Sequence, residues 1–263
     1  MALGGYAAFV EPHWLEIVSR PLPLRGLPRS LESKTLVQLS DLHVGPLASD
    51  AYILETFERV SRLKPEIVVY TGDFTSFQSN LFENTERMYA TASRGSLATL
   101  GIFGNHDYGW NWAHPDIAER LAAILGSCGI KILRNDSSDV EGLQIVGMDD
   151  LWANKFDPKH ALAKLRQDAA SIVLSHNPDT VDLPGWGNYQ GWILSGHTHG
   201  GQCKPPFLPP PILPVVNRRY TAGEFDLAGN RRLYINRGVG HLAQVRFGVR
   251  PEVTQFTLTP ADT

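Results

Sequence analysis

Five short polar motifs follow one another along the chain: Asp41-Leu-His43, Gly72-Asp73, Gly104-Asn105-His106-Asp107, Ser175-His176-Asn177 and Gly196-His197-Thr198-His199. They supply two aspartates, one asparagine and four histidines suited to holding metal: Asp41, His43, Asp73, Asn105, His176, His197 and His199. His106 is left over. Seven oxygen and nitrogen ligands are more than one ion usually takes from a protein, so the set predicts a two-metal centre with a shared ligand. Asp73 is the natural shared one, because a carboxylate can offer one oxygen to each of two ions.

Taken singly, most of these motifs are weak. An Asp-x-His triplet is common, and Gly-Asp is an ordinary turn pair. Gly196-His197-Thr198-His199 is the sharpest, because two histidines around one residue, after an apolar run and a glycine, have metal-ligand spacing. In the third motif Gly104 permits a sharp turn, Asn105 offers a neutral oxygen, and His106 is free to face a substrate. The joint pattern decides, since every motif sits at the end of an apolar, β-prone run. Parallel strands that deliver ligands from their carboxyl ends to one place would produce it, and sites form there in open α/β sheets.

The runs that end in motifs are 35–40, 67–71, 99–103, 171–174 and 191–194. Further strands are expected at 131–133, 144–148, 232–235 and 252–258. A helix is expected from the Ser49 cap to Lys64, with Ile53, Leu54, Phe57 and Val60 on one face and Pro65 ending it. Others are expected over 81–92, from Pro115 to Gly126 with proline in the first turn, and from Asp157-Pro158 to about Asp168. Strand and helix alternate early and strands dominate late, which predicts an α/β fold with mixed sheets. Residues 1–30 are proline-rich after Glu11 and read as an arm lying on one domain that spans 1–263. Residues 205–214, PPFLPPPILP, should be extended.

The 263 residues are 43% hydrophobic and 10% aromatic, enough for a large core. Net charge is −3 and no run of five basic residues occurs, so backbone-driven nucleic-acid binding is not expected. Cys128 and Cys203 are isolated and form no disulfide framework. No stretch reaches the ~18–20 apolar residues of a spanning helix, and residues 1–10 lack the basic start of a signal peptide. A cytoplasmic or membrane-peripheral location is expected.

The order, spacing and identity of the motifs resemble the calcineurin-like metallophosphoesterase superfamily, with its D-x-H, G-D, G-N-H-D/E, H and G-H-x-H pattern. The motifs span 41–199. The extended Gly196-His-Thr-His-Gly-Gly-Gln202, with Glu11-Pro12 and Arg237-Gly-Val-Gly240, is similar to a bacterial branch. That branch contains membrane-associated phosphoesterases and UDP-diacylglucosamine pyrophosphatases. The resemblance implies a four-layer sandwich of two mixed β-sheets flanked by helices. It assigns Asp41, His43, Asp73 and His199 to a first ion and Asp73, Asn105, His176 and His197 to a second, the two divalent ions being Mn, Fe or Zn. Ligands without thiolate suit that list.

The implied activity is hydrolysis of a phosphoester or phosphodiester by a water acidified between two ions. His106 is expected to protonate the leaving group, with Asp107 orienting it. Phe74, Phe77, Tyr108, Trp110 and Trp112 lie just after ligand motifs and are candidates to wall the cleft or to pack the sheets. Trp110, Phe207 and Arg246 are the substrate candidates, and Arg237 is a second cation for a phosphate. His241 stands where the bacterial branch more often has a small polar residue. The expected substrate is a small phosphoester or a lipid-linked one, with UDP-2,3-diacylglucosamine among the alternatives. Phe207, Leu208, Ile212 and Leu213, on a loop that begins three residues past a ligand, either face a lipid or membrane surface or close over the protein's own core. A catalytically silent scaffold of the same fold would have lost ligands, whereas all seven and His106 are present.

Overall fold

The computed structural model describes residues 3–76 and 80–261. Its first half contains α1 (Leu3–Phe9), β1 (Glu16–Leu24), β2 (Thr35–Leu39), α2 (Asp50–Arg62), β3 (Ile67–Thr71), α3 (Leu81–Tyr89), β4 (Ala98–Ile102), α4 (Pro115–Ser127) and β5 (Lys131–Ile132). Its second half contains β6 (Asp136–Val140), β7 (Leu143–Gly147), α5 (Pro158–Leu162), β8 (Ser171–Leu174), β9 (Gly191–Ser195), β10 (Gly223–Leu227), β11 (Arg231–Ile235) and β12 (Glu252–Pro260). The strands form two six-stranded sheets, in the orders β1-β12-β2-β3-β4-β5 and β10-β11-β9-β8-β7-β6. Both are mixed. In the first, β12 runs antiparallel to β2 while β2 to β5 are parallel. In the second, β7, β8, β9 and β11 are parallel and the two edge strands are antiparallel to their neighbours.

Period-two patterning sorts each central strand between two cores. From β2, Val37 and Leu39 pack with Phe57 and Val60 of α2 and Leu121 and Leu125 of α4. Leu36 points the other way, between the sheets, with Ile67, Ile172, Leu174 and Leu194. Behind the second sheet, Val146, Val173, Ile193 and Ile235 are covered by Ala161, Val181, Trp186, Tyr189 and Tyr220. The layers are therefore helices, sheet, sheet, and a cover of short helical turns and loops. Among the described residues no helix is long and apolar enough to cross a membrane.

Several elements depart from the sequence expectation. The arm contributes a nine-residue strand, β1, paired in parallel with β12. Pro21 and Pro23 are tolerated there because β1 is a sheet edge, where a missing N–H removes no ladder bond. On α2, Leu54 is exposed while Ile53, Phe57 and Val60 are buried, since adjacent positions point about 100° apart on a helix. Helix α5 stops after five residues, where the Gln144 side chain takes the Lys164 carbonyl and the Arg166 N–H. Strand β6, DSSDV, is polar and gives no apolar signal. It forms a hairpin with β7 through a Glu141-Gly142 turn in which both residues have positive φ.

Candidate metal centre

Strands β2, β3 and β4 of one sheet and β8 and β9 of the other end together, and every motif lies just past one of those ends. The loops are tied in pairs. The Asp41 and His43 N–H groups donate to the Gly72 and Asp73 carbonyls at 2.9 and 3.0 Å. Gly196 N–H donates to the His176 carbonyl at 3.1 Å. The His197 N–H donates across the sheets to the Asp41 carboxylate. Asp41, His43, Asp73, His197 and His199 all have φ between 49° and 70°. Such left-handed backbone is unfavourable for residues with a Cβ, and this strain gathers at functional sites.

The side chains converge into three overlapping groups: Asp41, His43 and His199; His43, Asp73 and His106; Asp73, His176 and His197. Within each, candidate ligand atoms lie within 4.8 Å of one another. His43 Nε2 is 3.1 Å from His199 Nε2, and His199 Nε2 is 3.3 Å from Asp41 Oδ1. Asp73 Oδ2 is 3.5 Å from His43 Nε2 and 3.3 Å from His176 Nε2, and His176 Nε2 is 3.2 Å from His197 Nδ1. Bonds of about 2.0–2.2 Å to a shared cation require ligand atoms this close, whereas lone pairs facing each other without one repel. Asn105 strengthens the fit: its side-chain oxygen and nitrogen are both buried without a hydrogen-bond partner among the described residues. A buried amide left unpaired is destabilising, and a cation beside its oxygen relieves it.

The outer nitrogens have partners of their own. His43 Nδ1 lies 3.2 Å from Ser76 Oγ. His176 Nδ1 donates to the Thr71 carbonyl at 2.7 Å and His197 Nε2 to the Pro214 carbonyl at 2.8 Å. Such partners fix the tautomer that aims the other nitrogen at the centre. Ser40 donates to Asp41 Oδ2 at 2.6 Å. Burial alone would raise the Asp41 and Asp73 carboxyls, yet the histidines around them hold both well below the usual carboxylate range. Burial drives His197 down to about 3, with His176 adding to the effect. Burial opposes charge on His176 too, but Asp73 and Asp41 raise it well above the ordinary value.

His106 is partly exposed, its ring edge-on to His43 at 5.0 Å, and its N–H donates to Asp73 Oδ1 at 3.0 Å. Asp107 is buried and accepts from the Gly104 and Thr75 N–H groups at 2.9 and 3.2 Å. It braces the second motif's loop against the third, a role apart from orienting the His106 ring.

Of the substrate candidates, Arg246 reaches the back of the cluster, its Nη2 3.4 Å from His199 Nδ1, but it does not face the cleft. Arg246 is fully buried, and its guanidinium donates to the carbonyls of Arg237, Gly238, Gly240 and Val249, tying the 237–249 strap together. Arg237 pairs with Glu16 and Glu252. Phe207 is wholly exposed and Trp110 largely so. Phe74 and Tyr108 are core residues, and Phe77 lies outside the described residues. The aromatic that does reach the site, Trp152, escaped the sequence reading. Its ring meets His197 edge-on at 4.4 Å and Trp112 at 4.6 Å. It sits on a turn closed by Asp150, which accepts the Ala153 N–H at 2.8 Å. The two consecutive aspartates Asp149-Asp150 after an apolar strand were the available signal. A cavity of about 1040 Å³ lies at the other end of the second sheet, by Ser171, Gly191 and Arg231, away from these residues.

A family model described as calcineurin-like phosphoesterase matches residues 34–201. The chain is 31% identical over 270 residues to the uncharacterized metallophosphoesterase YkuE of Bacillus subtilis, covering 97% of this chain and 89% of that protein. It is 30% identical over 263 residues to the phosphodiesterase YaeI of Escherichia coli, covering 97% and 92%. It is 28% identical over 304 residues to the UDP-2,3-diacylglucosamine pyrophosphatase LpxG of Chlamydia muridarum, covering 94% and 90%. With its motifs gathered at adjoining strand ends between two mixed sheets, the chain belongs to the calcineurin-like phosphoesterase family.

Proposed function

We propose that this chain is a dinuclear metal-dependent hydrolase of phosphodiester-type bonds. Asp41, His43, Asp73 and His199 would hold one divalent ion, and Asp73, Asn105, His176 and His197 the other. The observation that carries this reading is the unpartnered Asn105 amide, buried beside two histidine–carboxylate groups that meet at Asp73. When bound, Mn, Fe or Zn ions supply Lewis-acid charge for a phosphoryl oxygen and lower the pKa of water.

The remaining chemistry belongs to the chain. His106 is anchored through its backbone to Asp73, while its ring carries no hydrogen bond among the described residues. It would give a proton to the leaving oxygen at the rim of the centre. Asp107 keeps that loop in register with the Asp73 loop. Trp152 and Trp112 form an aromatic wall beside His197. The phosphodiesterase and pyrophosphatase names of relatives at 30% and 28% identity support diesters over monoesters. A lipid-linked diphosphate diester, such as UDP-2,3-diacylglucosamine, is the second reading. The exposed apolar loop residues beside the site favour it.

The test is turnover of phosphomonoesters, diesters and nucleotide–lipid pyrophosphates by metal-reconstituted protein. Diesters or pyrophosphates should be cleaved faster than monoesters. Absence of turnover with Mn, Fe and Zn alike would refute the hydrolase reading, and a monoester preference would refute the diester assignment.

A further inference from the structure

The loop 203–220 begins after the three residues that follow His199 and returns to the centre where the Pro214 carbonyl meets His197. Between these points it turns apolar side chains outward. Phe207 is 104% exposed, Ile212 78% and Leu208 60%, with Val216 beyond them at 91%. Leu213 alone of the expected four is buried. Neighbouring segments extend the same rim. Lys204 N–H donates to the Phe247 carbonyl, and Phe247 N–H to that of Gln202. Arg246 N–H donates to the Ala7 carbonyl of α1, which exposes Leu3 and Phe9. His241 Nε2 donates to the carbonyl of exposed Leu47, and exposed Leu242 donates its N–H to Gln202. Arg250 lies over the half-exposed Trp14 ring at 4.3 Å.

The loop, the strap after it and α1 carry no acid. Residues 203–222 contain Lys204, Arg218 and Arg219 and no Asp or Glu; residues 238–251 contain Arg250 and the buried Arg246 and no acid; α1 has no charge. Carboxylates beside the rim are engaged: Asp179 accepts the Val216 and Asn217 N–H groups, Asp182 accepts from Asn217 and Tyr220, Glu11 accepts the Val249 N–H, Glu16 pairs with Arg237 and Asp50 with Arg87. Large apolar side chains fully in water, interspersed with cations, suit an interface with greasy depth and negative headgroups.

We propose that this rim docks the mouth of the metal centre on an anionic lipid surface. Phe207, Leu208 and Ile212 enter the headgroup–acyl boundary, Lys204 and Arg219 meet lipid phosphates, and Trp14 with Arg250 sits at the edge. The docking rests on surface chemistry alone, and its test needs no turnover, so it fails or stands apart from the hydrolase reading.

Metal-reconstituted protein is sedimented with vesicles of phosphatidylcholine containing phosphatidylglycerol, and with pure phosphatidylcholine vesicles. Binding to the anionic vesicles, weakened by salt, is expected. Each cation contributes about fivefold, so K204Q/R219Q should weaken binding about 25-fold. F207S/L208S/I212S should weaken it on the order of 100-fold, with the melting temperature unchanged. Because Phe207 touches nothing that folding needs, F207W adds a probe: its fluorescence should shift to the blue and be quenched by brominated lipid. Failure of the native protein to pellet with anionic vesicles would overturn the proposal. So would equal binding by the triple variant, equal binding to both vesicle types, or an F207W emission that vesicles leave unchanged. A native dimer dissolved by the triple variant, without vesicle binding, would make the rim a self-association surface instead.

Discussion

Replacing Gly104 with alanine puts one methyl group where three motifs meet. The Gly104 backbone is extended, with φ −101° and ψ −179°, so alanine meets no conformational strain. The objection is spatial. A Cβ there would lie 2.6 Å from His176 Nε2 and 2.7 Å from the Asp73 backbone nitrogen, and would overlap Asp73 Oδ1 outright. Ordinary contact begins at 3.4 Å, so the Asp73 backbone must retreat from 2.7 to 3.4 Å, about 0.7 Å, and His176 slightly more. Functional geometry tolerates about 0.5 Å, and misplacement by about 1 Å slows catalysis on the order of 100-fold. Overpacking itself costs about 1–3 kcal/mol, equivalent to a fall in Tm of roughly 2–12 °C in a chain of this size. The assay is metal content after reconstitution, hydrolysis of bis-(p-nitrophenyl) phosphate and thermal melting. Gly126→Ala is the control. It lies in α4 with nothing within 4 Å of its Cβ, and it should keep activity and gain about 0.5–1 kcal/mol. A Gly104→Ala protein with full metal and full turnover would refute the claim that Asp73 and His176 are held at the centre by the space this glycine leaves.

Native protein purified without chelator should carry two ions per chain by elemental analysis, and Asp73→Ala should lose more metal than any other single ligand change; one ion at full activity would contradict a shared Asp73. His106→Ala should retain metal while turnover falls ~10²–10⁴-fold with poor leaving groups and much less with nitrophenolate, which departs without a proton. Equal losses for both would mean that His106 only positions substrate. His241 contributes a pH dependence. Burial, with Arg246 nearby, lowers it to about 4, so below about pH 6.5 the unfolded chain takes up a proton that the folded chain refuses. Stability should be full above about 6.5 and fall as pH drops towards 4, and His241→Gln should flatten that slope in Tm measurements.

Much of the centre was legible because its ligands are few, chemically specific and set at the ends of apolar runs. The strands at 67–71 and 171–174 coincide with β3 and β8, since continuous apolar runs bounded by turns leave little alternative. The misses share a cause. Strand β1 carries two prolines and β6 is polar, and both exist because a neighbouring strand offers its edge. The expected helix to Asp168 is cut short by Gln144, a side chain on a different element.

The sequence alone determined which residues are able to bind metal, that they number enough for two ions, and that strand ends present them. These are local properties of side-chain chemistry and hydrophobic period. Tertiary structure decided what those properties meet. It gathered Asp73 with histidines from both sheets, buried Asn105 without a partner, and brought Trp152 against His197. It also turned Arg246 inward to bind backbone carbonyls and left Phe207 in solvent. Residues far apart in the chain meet only when the sheets pack, so no local pattern encodes which arginine is buried or which aromatic faces the site.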